Sequence, residues 1–284
     1  MKIGIGLPNQ VRDVRAEVIP TWAVHAERVG FSTLCTLGRT AYPGVADIVA
    51  LAVAAGATTA IGLLSSVLPG LTRAPVLLAK EAAGIDGMSG GRLTLGLGLG
   101  QHADDFATAG MPATELGRRF DHDLQVYHDV WSGRPVGGGG NAAVPAGTRA
   151  VPLLFGGGSP AAFARMAHWG EGYIAGAFQA ELLDLSFEAA RTAWRQAGRA
   201  GAPRLVASAY FALGDPEDGR RLVKDYYSAD RPQVVEAILA RLATSEADAQ
   251  RITAECADLG ADELIFSPAL DDLDEVSRLA DAVL

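Results

Sequence analysis

Two glycine-rich stretches, Leu93-Thr-Leu-Gly-Leu-Gly-Leu-Gly100 and Leu153-Leu-Phe-Gly-Gly-Gly-Ser-Pro160, carry the clearest structural signals in the chain. Each reads as a buried strand that runs into a tight backbone turn, and the second turn opens a helix. Gly156, Gly157 and Gly158 remove the Cβ atoms that would hold a ligand away from the backbone. Ser159 is a good N-cap residue, and Pro160 suits the first helical position, where its missing N–H costs nothing. A helix start reached through bare glycines offers free N–H groups and the positive end of a dipole, which together hold a phosphate. The functional reading is an anchor for a phosphorylated cofactor. The plain reading is a well-capped strand-to-helix connection.

On either side of these stretches, apolar runs bounded by glycine or proline alternate with helical patterns. Strands are expected at 3–7, 33–37, 61–65, 93–97, 153–155, 172–175, 205–211 and 263–266. Between them, Val18, Ile19, Trp22, Ala26 and Val29 share one helix face, as do Phe120, Leu124, Tyr127 and Trp131. Strands too apolar to face water on either side imply a parallel sheet. Eight strand–helix units fit an α/β (β/α)8 TIM barrel better than an open sheet. The whole chain, 1–284, is expected to be a single barrel domain with an insertion at 215–259, between strands 7 and 8. Two segments break the repeat, 101–117 and 133–150. The second carries four consecutive glycines at 137–140 and is expected to be a mobile loop.

Nearly half of the 284 residues are hydrophobic, enough for a sizeable core, and no run reaches the roughly 18 apolar residues of a membrane span. The first residues are too few for a signal peptide before the first turn, so a cytoplasmic protein is expected. Cys35 and Cys256 each sit in an apolar pattern, as buried thiols of a reducing compartment do. A net charge of −9 speaks against nucleic acid. The five histidines have no metal-ligand spacing, so no metal is expected.

In such a barrel, function collects at the carboxyl ends of the strands. Those ends carry Leu7 and Pro8, Arg39, Ser65 and Ser66, Gly98 and Gly100, Gly157 to Ser159, Ala175 and Gly176, and Phe211. Small residues predominate, leaving room for a flat ligand. A dinucleotide fingerprint would open a helix directly and be followed by a ribose-binding acid about 20 residues on; the Gly96-x-Gly98-x-Gly100 run does neither. No Gly-x-Ser-x-Gly elbow or triad order is present. Arg39 holds an anion or a substrate carbonyl, or pairs with an acid. His102 is the histidine placed for proton transfer. Tyr42, His102, Phe106, Phe178 and Phe211 are the expected substrate wall. Of Arg118 and Arg119, one is expected to fold over the mouth.

The segments Pro75-Val-Leu-Leu-Ala-Lys80 and Asp86-Gly-Met-Ser-Gly-Gly-Arg-Leu93, running into Gly96-Leu-Gly-Leu-Gly100, resemble the bacterial luciferase-like monooxygenase family. So do Ala26-Glu-Arg-Val-Gly-Phe31, Arg118-Arg-Phe-Asp121, Gly156-Gly-Gly-Ser-Pro160 and His168-Trp-Gly-Glu-Gly-Tyr-Ile174. The resemblance implies a barrel, often dimeric, that binds FMN or the deazaflavin F420 at the strand carboxyl ends. Gly157, Gly158 and Ser159 would meet the cofactor phosphate, while Ser65, Ser66 and Gly98 approach the ring system. It also implies a non-proline cis peptide near Ser65-Ser66. Three departures stand out. Gly38-Arg39-Thr40 replaces a histidine after the second strand, Leu99 and Gly100 replace an arginine in the glycine loop, and Gln101 replaces an acid found in deazaflavin enzymes. The implied activity is oxygenation of a small organic substrate with reduced FMN and dioxygen, the reduced FMN coming from a separate flavin reductase. Hydride transfer with F420 and a non-catalytic flavin-binding barrel are the alternatives.

Overall fold

The computed structural model describes residues 1–112 and 114–284. The barrel strands are β1 (Lys2–Gly6), β2 (Thr33–Thr36), β3 (Gly62–Ser65), β5 (Leu93–Gly98), β6 (Leu153–Gly156), β7 (Gly172–Ile174), β8 (Arg204–Phe211) and β9 (Glu263–Pro268), with a two-residue β4 (Leu68–Pro69) on the rim. The strands run in the order β3-β2-β1-β9-β8-β7-β6-β5, every pairing is parallel, and β3 pairs with β5 to close the ring. The (β/α)8 barrel read from the sequence is the observed fold. The short β4 is new: Leu68 and Pro69 pair with Leu97 and Gly98 above the end of β3.

The helices are α1 (Val18–Val29), α2 (Asp47–Ala57), α3 (Pro75–Met88), α4 (Ala103–Thr108), α5 (Leu116–Trp131), α6 (Pro160–Trp169), α7 (Ala180–Gln196), α8 (Pro216–Tyr226), α9 (Pro232–Leu239), α10 (Glu246–Asp258) and α11 (Asp274–Val283). On α1 the predicted stripe Val18, Ile19, Trp22 and Ala26 is buried, and the helix stops at Gly30, whose φ of +106° suits a residue without Cβ. Phe120, Leu124, Tyr127 and Trp131 of α5 are likewise buried, and the Trp131 indole donates to the Ala79 carbonyl at 2.9 Å. Helices α8, α9 and α10 form the insertion between the seventh and eighth barrel strands. The 133–150 segment has some order of its own: Pro135 bridges Ala142, Val144 is buried, and Arg149 pairs with Asp86.

Strand parity separates two cores. Ile3, Ile5, Leu34, Leu63, Leu93, Leu95, Leu97, Leu205 and Phe211 point outward beneath the helices. Cys35, Leu64, Leu154, Ile174, Val206 and Ile265 fill the barrel interior, one from each of six strands. The other two strands contribute glycine to that layer. A Cβ on Gly4 would meet the Ile265 side chain, and one on Gly96 would run into the Ser65 carbonyl and the Ile174 side chain. Alternation of leucine outward and glycine inward is thus the packing reason for Leu93-x-Leu-Gly-Leu-Gly98. No helix among the described residues is long and apolar enough to cross a membrane.

Candidate active site

A cavity of about 450 Å³ opens above the interior layer, at the carboxyl ends of the strands. Its floor comes from β3, β5 and β6. The Ser66–Val67 peptide is cis, next to the Ser65-Ser66 pair near which the family resemblance implied such a bond. Val67 projects over the neighbouring strands: a Cβ on Gly98 would lie 2.8 Å from Val67 Cγ2, and one on Gly156 would lie 3.1 Å from Cγ1. Ser208, pointing inward from β8, lines the cavity with a buried hydroxyl that has no partner among the described residues. Such a group stabilises a bound polar edge that satisfies it.

One end of the cavity is the corner between β6 and α6. Ser159 caps the helix, its Oγ accepting from the Ala162 N–H at 3.2 Å, with Pro160 next in line. Gly157 sits at a φ of +112°, and Gly158 has open space around its Cα. The N–H groups of Gly157, Gly158 and Ser159 donate to no acceptor among the described residues. Arg165, buried one turn further along α6, lines the same cavity. Its Nε and Nη2 donate to Asp121, at 2.6 and 3.1 Å, and Nη2 also donates to the Gly117 carbonyl at 3.0 Å. Its Nη1 has no partner among the described residues. Bare amides, a helix N-terminus and a guanidinium edge can together hold an anion, and the glycine floor beside them has room for a flat ring. These residues fit a phosphorylated flavin-type coenzyme.

The opposite wall is aromatic. Tyr210 of β8 and Tyr227 after α8 place their hydroxyls 2.9 Å apart. Tyr226 meets Tyr227, Tyr42 and His102 edge-on. Behind it lies Arg39, whose Nη2 contacts Asp104 at 2.8 Å and whose Nε lies 3.0 Å from Asp105. Asp105 also accepts from the N–H groups of Thr40 and Ala41, and the guanidinium faces the Tyr42 and Tyr226 rings. Arg39 therefore ties the loop after β2 to the start of α4 and is covered from the cavity. Burial, and then the Arg39 charge, holds the His102 imidazole below its ordinary pKa, so it is neutral at pH 7.

Of the residues singled out in the sequence, the cavity wall holds Ser66, Gly98, Gly100, His102, Gly157, Gly158, Ser159, Ala175, Gly176 and Phe178. It does not hold Leu7, Pro8, Arg39, Ser65, Tyr42, Phe106 or Phe211. Leu7 and Phe211 have outward parity and join the layer under the helices. Ser65 is also turned off the interior, its Oγ donating to the Gly96 carbonyl at 2.8 Å. Phe106 backs Gly100 from behind, and the Tyr42 hydroxyl donates to Asp225 at 2.9 Å. Both Arg118 and Arg119 are exposed, and Arg118 pairs with Glu115. The arginine at the mouth is Arg165 instead; its signal was its position three residues after the capped Ala162, on the same helix face. Tyr226 and Tyr227 were also missed, although a tyrosine pair ending a polar helix of an insertion marks a surface to be covered.

Among solved structures, an F420-dependent secondary alcohol dehydrogenase in complex with an F420–acetone adduct superposes with a TM-score of 0.80 at 15% identity, over 100% of this chain and 98% of that one. The monooxygenase RslO1 of Streptomyces bottropensis gives 0.76 at 20% identity, over 99% and 97%. The FMN-bound oxygenating constituent of 3,6-diketocamphane monooxygenase from Pseudomonas putida gives 0.74 at 16%, over 99% and 95%. At these identities the likeness is one of fold. An uncharacterized protein of Mycobacterium tuberculosis is 27% identical over 168 residues, 56% of this chain and 59% of the relative, so the match spans little more than half of that protein. The luciferase-like monooxygenase family model matches residues 1–270, and with nearly the whole barrel inside that match the chain belongs to the luciferase-like monooxygenase family.

Proposed function

We propose that the chain binds reduced FMN in this cavity and uses it with dioxygen to oxygenate a small organic substrate. The observation that carries this reading is the convergence of three unspent backbone N–H groups and the free Nη1 edge of Arg165 on a glycine-floored cavity. The phosphate would sit at Gly157, Gly158 and Ser159 with Arg165 beside it, and the ring over Ser66, Val67 and Gly98. Reduced FMN supplies the electrons with which dioxygen is activated. The chain's own part is to orient the ring, to keep water out with an aromatic wall, and to take or give a proton at the neutral His102 ring. The chain has no dinucleotide fingerprint, so reduced FMN would come from a separate flavin reductase. The protein is proposed to be a cytoplasmic homodimer, which size-exclusion chromatography with light scattering tests.

A second reading keeps the cavity but takes F420, with hydride transfer and no oxygen. It is favoured by the exposure of Gly157, Gly158, Ser159 and Pro160, which leaves a longer coenzyme tail a way out to solvent. Fluorescence titration with FMN and with F420 separates the two. FMN binding, with oxygen uptake when chemically reduced FMN is supplied, supports the first reading. Binding of F420 alone overturns it, and sustained NADPH turnover by the pure chain overturns the reductase partner.

A further inference from the structure

Resting on the reading in which His102 exchanges a proton with the bound ligand, the insertion between the seventh and eighth barrel strands supplies that ring with a partner. His102 lies between β5 and α4 and lines the cavity. It is the N-cap residue of α4, yet its side chain makes no capping bond that would fix the ring. Tyr226 packs against it edge-on, with ring centroids 6.2 Å apart. Four charged groups act on the imidazole: Arg39, Asp104, Asp105 and Asp230. Arg39, from the loop after β2, is joined to Asp104 and Asp105 of α4, so those three charges largely answer one another. Asp230, just past the end of α8, is different. It acts on the ring more strongly than either aspartate of α4, and its charge also faces the Tyr227 hydroxyl. The Asp230 N–H donates to the Tyr227 carbonyl at 2.9 Å, in a turn that hangs the carboxylate behind the tyrosines and outside the cavity lining. Its Oδ2 is buried and has no partner among the described residues.

A buried acceptor without a donor is costly, and it gains most from a donor that carries charge. The neutral imidazole has one N–H to give, while the protonated ring has two. A proton taken from the cavity side therefore creates both the second donor and the positive charge that a free carboxylate oxygen stabilises. We propose that Asp230 is a positioning residue for proton transfer at His102: its spare Oδ2 accepts from one ring nitrogen when the ring takes up a proton, and so aims the other nitrogen at the cavity. The transfer balances simply. The group in the cavity loses a proton, the His102 nitrogen facing it gains that proton, and the Asp230 carboxylate changes neither its bonds nor its charge.

Ring-proton NMR of the chain without coenzyme follows the five histidines across the acid range, and the His102 signal is the one lost in His102→Gln. In Asp230→Asn, which keeps the shape and removes the charge, His102 is expected to bind its proton about threefold or more weakly, titrating at lower pH than in the native chain. Asp230→Glu returns the charge and should bring the titration back toward the native one. An unchanged or raised titration in folded Asp230→Asn, or an equal fall in Asp230→Glu, overturns the proposal, because a residue that only braces its turn would not respond to charge in this way. A crystal structure of the native chain, at a pH below the His102 midpoint, is expected to place a ring nitrogen within hydrogen-bond distance of Asp230 Oδ2. A charged ring turned elsewhere overturns the proposal even where neither variant folds. The FMN titration tests the coenzyme reading separately: absence of FMN binding leaves the His102 titration readable, so the two failures are told apart.

Discussion

Arg165→Met removes a charge from the coenzyme corner while leaving the glycines in place. In the native chain the guanidinium spends Nε and Nη2 on Asp121 and the Gly117 carbonyl, and the Nη1 donors are what a phosphate can take up. A hydrogen bond to a charged partner contributes about 1.5–3 kcal/mol, which is roughly 10- to 150-fold in Kd. The structural penalty is small by comparison. Asp121 is 53% exposed and returns to water when its partner goes, so the lost pair costs about 0–1 kcal/mol of stability. FMN and riboflavin, which differ only in the phosphate, are titrated by flavin fluorescence against the native chain and the variant. FMN binding is expected to weaken by that factor and riboflavin binding to stay where it was. Equal weakening of both would mean that Arg165 only braces α5 against α6, and unchanged FMN affinity would mean that the phosphate does not reach it. Either result refutes the corner as drawn.

The two acids on Arg39 are expected to behave differently. Asp105, 3% exposed and accepting from Thr40 and Ala41 as well, should lose about 3–5 kcal/mol as Asp105→Ala in urea unfolding, because it leaves the buried Arg39 guanidinium with only the half-exposed Asp104 and strips two backbone N–H groups of their acceptor; Asp104, 49% exposed, should lose about 0–1 kcal/mol. The depressed pKa of His102 predicts a stability term that is complete above about pH 6.5 and is lost as pH falls toward the lower folded value, since the unfolded chain binds the proton first. Unfolding curves across that window should slope less in His102→Gln, and an equal slope in both proteins would exclude His102 as the source. Gly96→Ala drives a methyl into the Ser65 carbonyl and should destabilise by about 1–3 kcal/mol or more. Gly84→Ala, with open space around an α3 position, should instead stabilise by about 0.5–1 kcal/mol, and calorimetry of the pair checks the contrast.

The barrel was legible because its signals are local and repeated. Each strand announced itself by an apolar run closed with glycine or proline, and the runs of leucine with glycine at 93–98 already carried the parity that the interior layer uses. Reading strand ends without parity is what scattered the candidate site. At the ends of β3 and β8 two neighbouring residues compete, and one of the two lines the cavity: Ser66 rather than Ser65, Tyr210 rather than Phe211. Parity could have been fixed from sequence at β8, where Val206, Ser208 and Tyr210 alternate with Leu205, Ala207 and Phe211, because two serine or tyrosine hydroxyls in register mark the face that meets polar atoms.

The two ends of the cavity differ in the same way. The corner proposed for the phosphate is, Arg165 aside, made of backbone, and the residues that free a backbone to bind are contiguous: three glycines, a capping serine and a proline within one turn. The aromatic wall is made of side chains delivered by elements far apart in sequence, with His102 after β5, Tyr210 on β8 and Tyr226 at the end of α8. What assembles it is the Arg39 cluster, which fastens the loop after β2 to Asp104 and Asp105 and stacks on Tyr226. Arg39 looked like a ligand-binding residue because it stands at a strand end, yet its charge is used up in holding other residues there. On the proposed reading, substitutions in the loops that Arg39 gathers are therefore expected to change the aromatic wall and leave coenzyme binding at the glycine corner where it was.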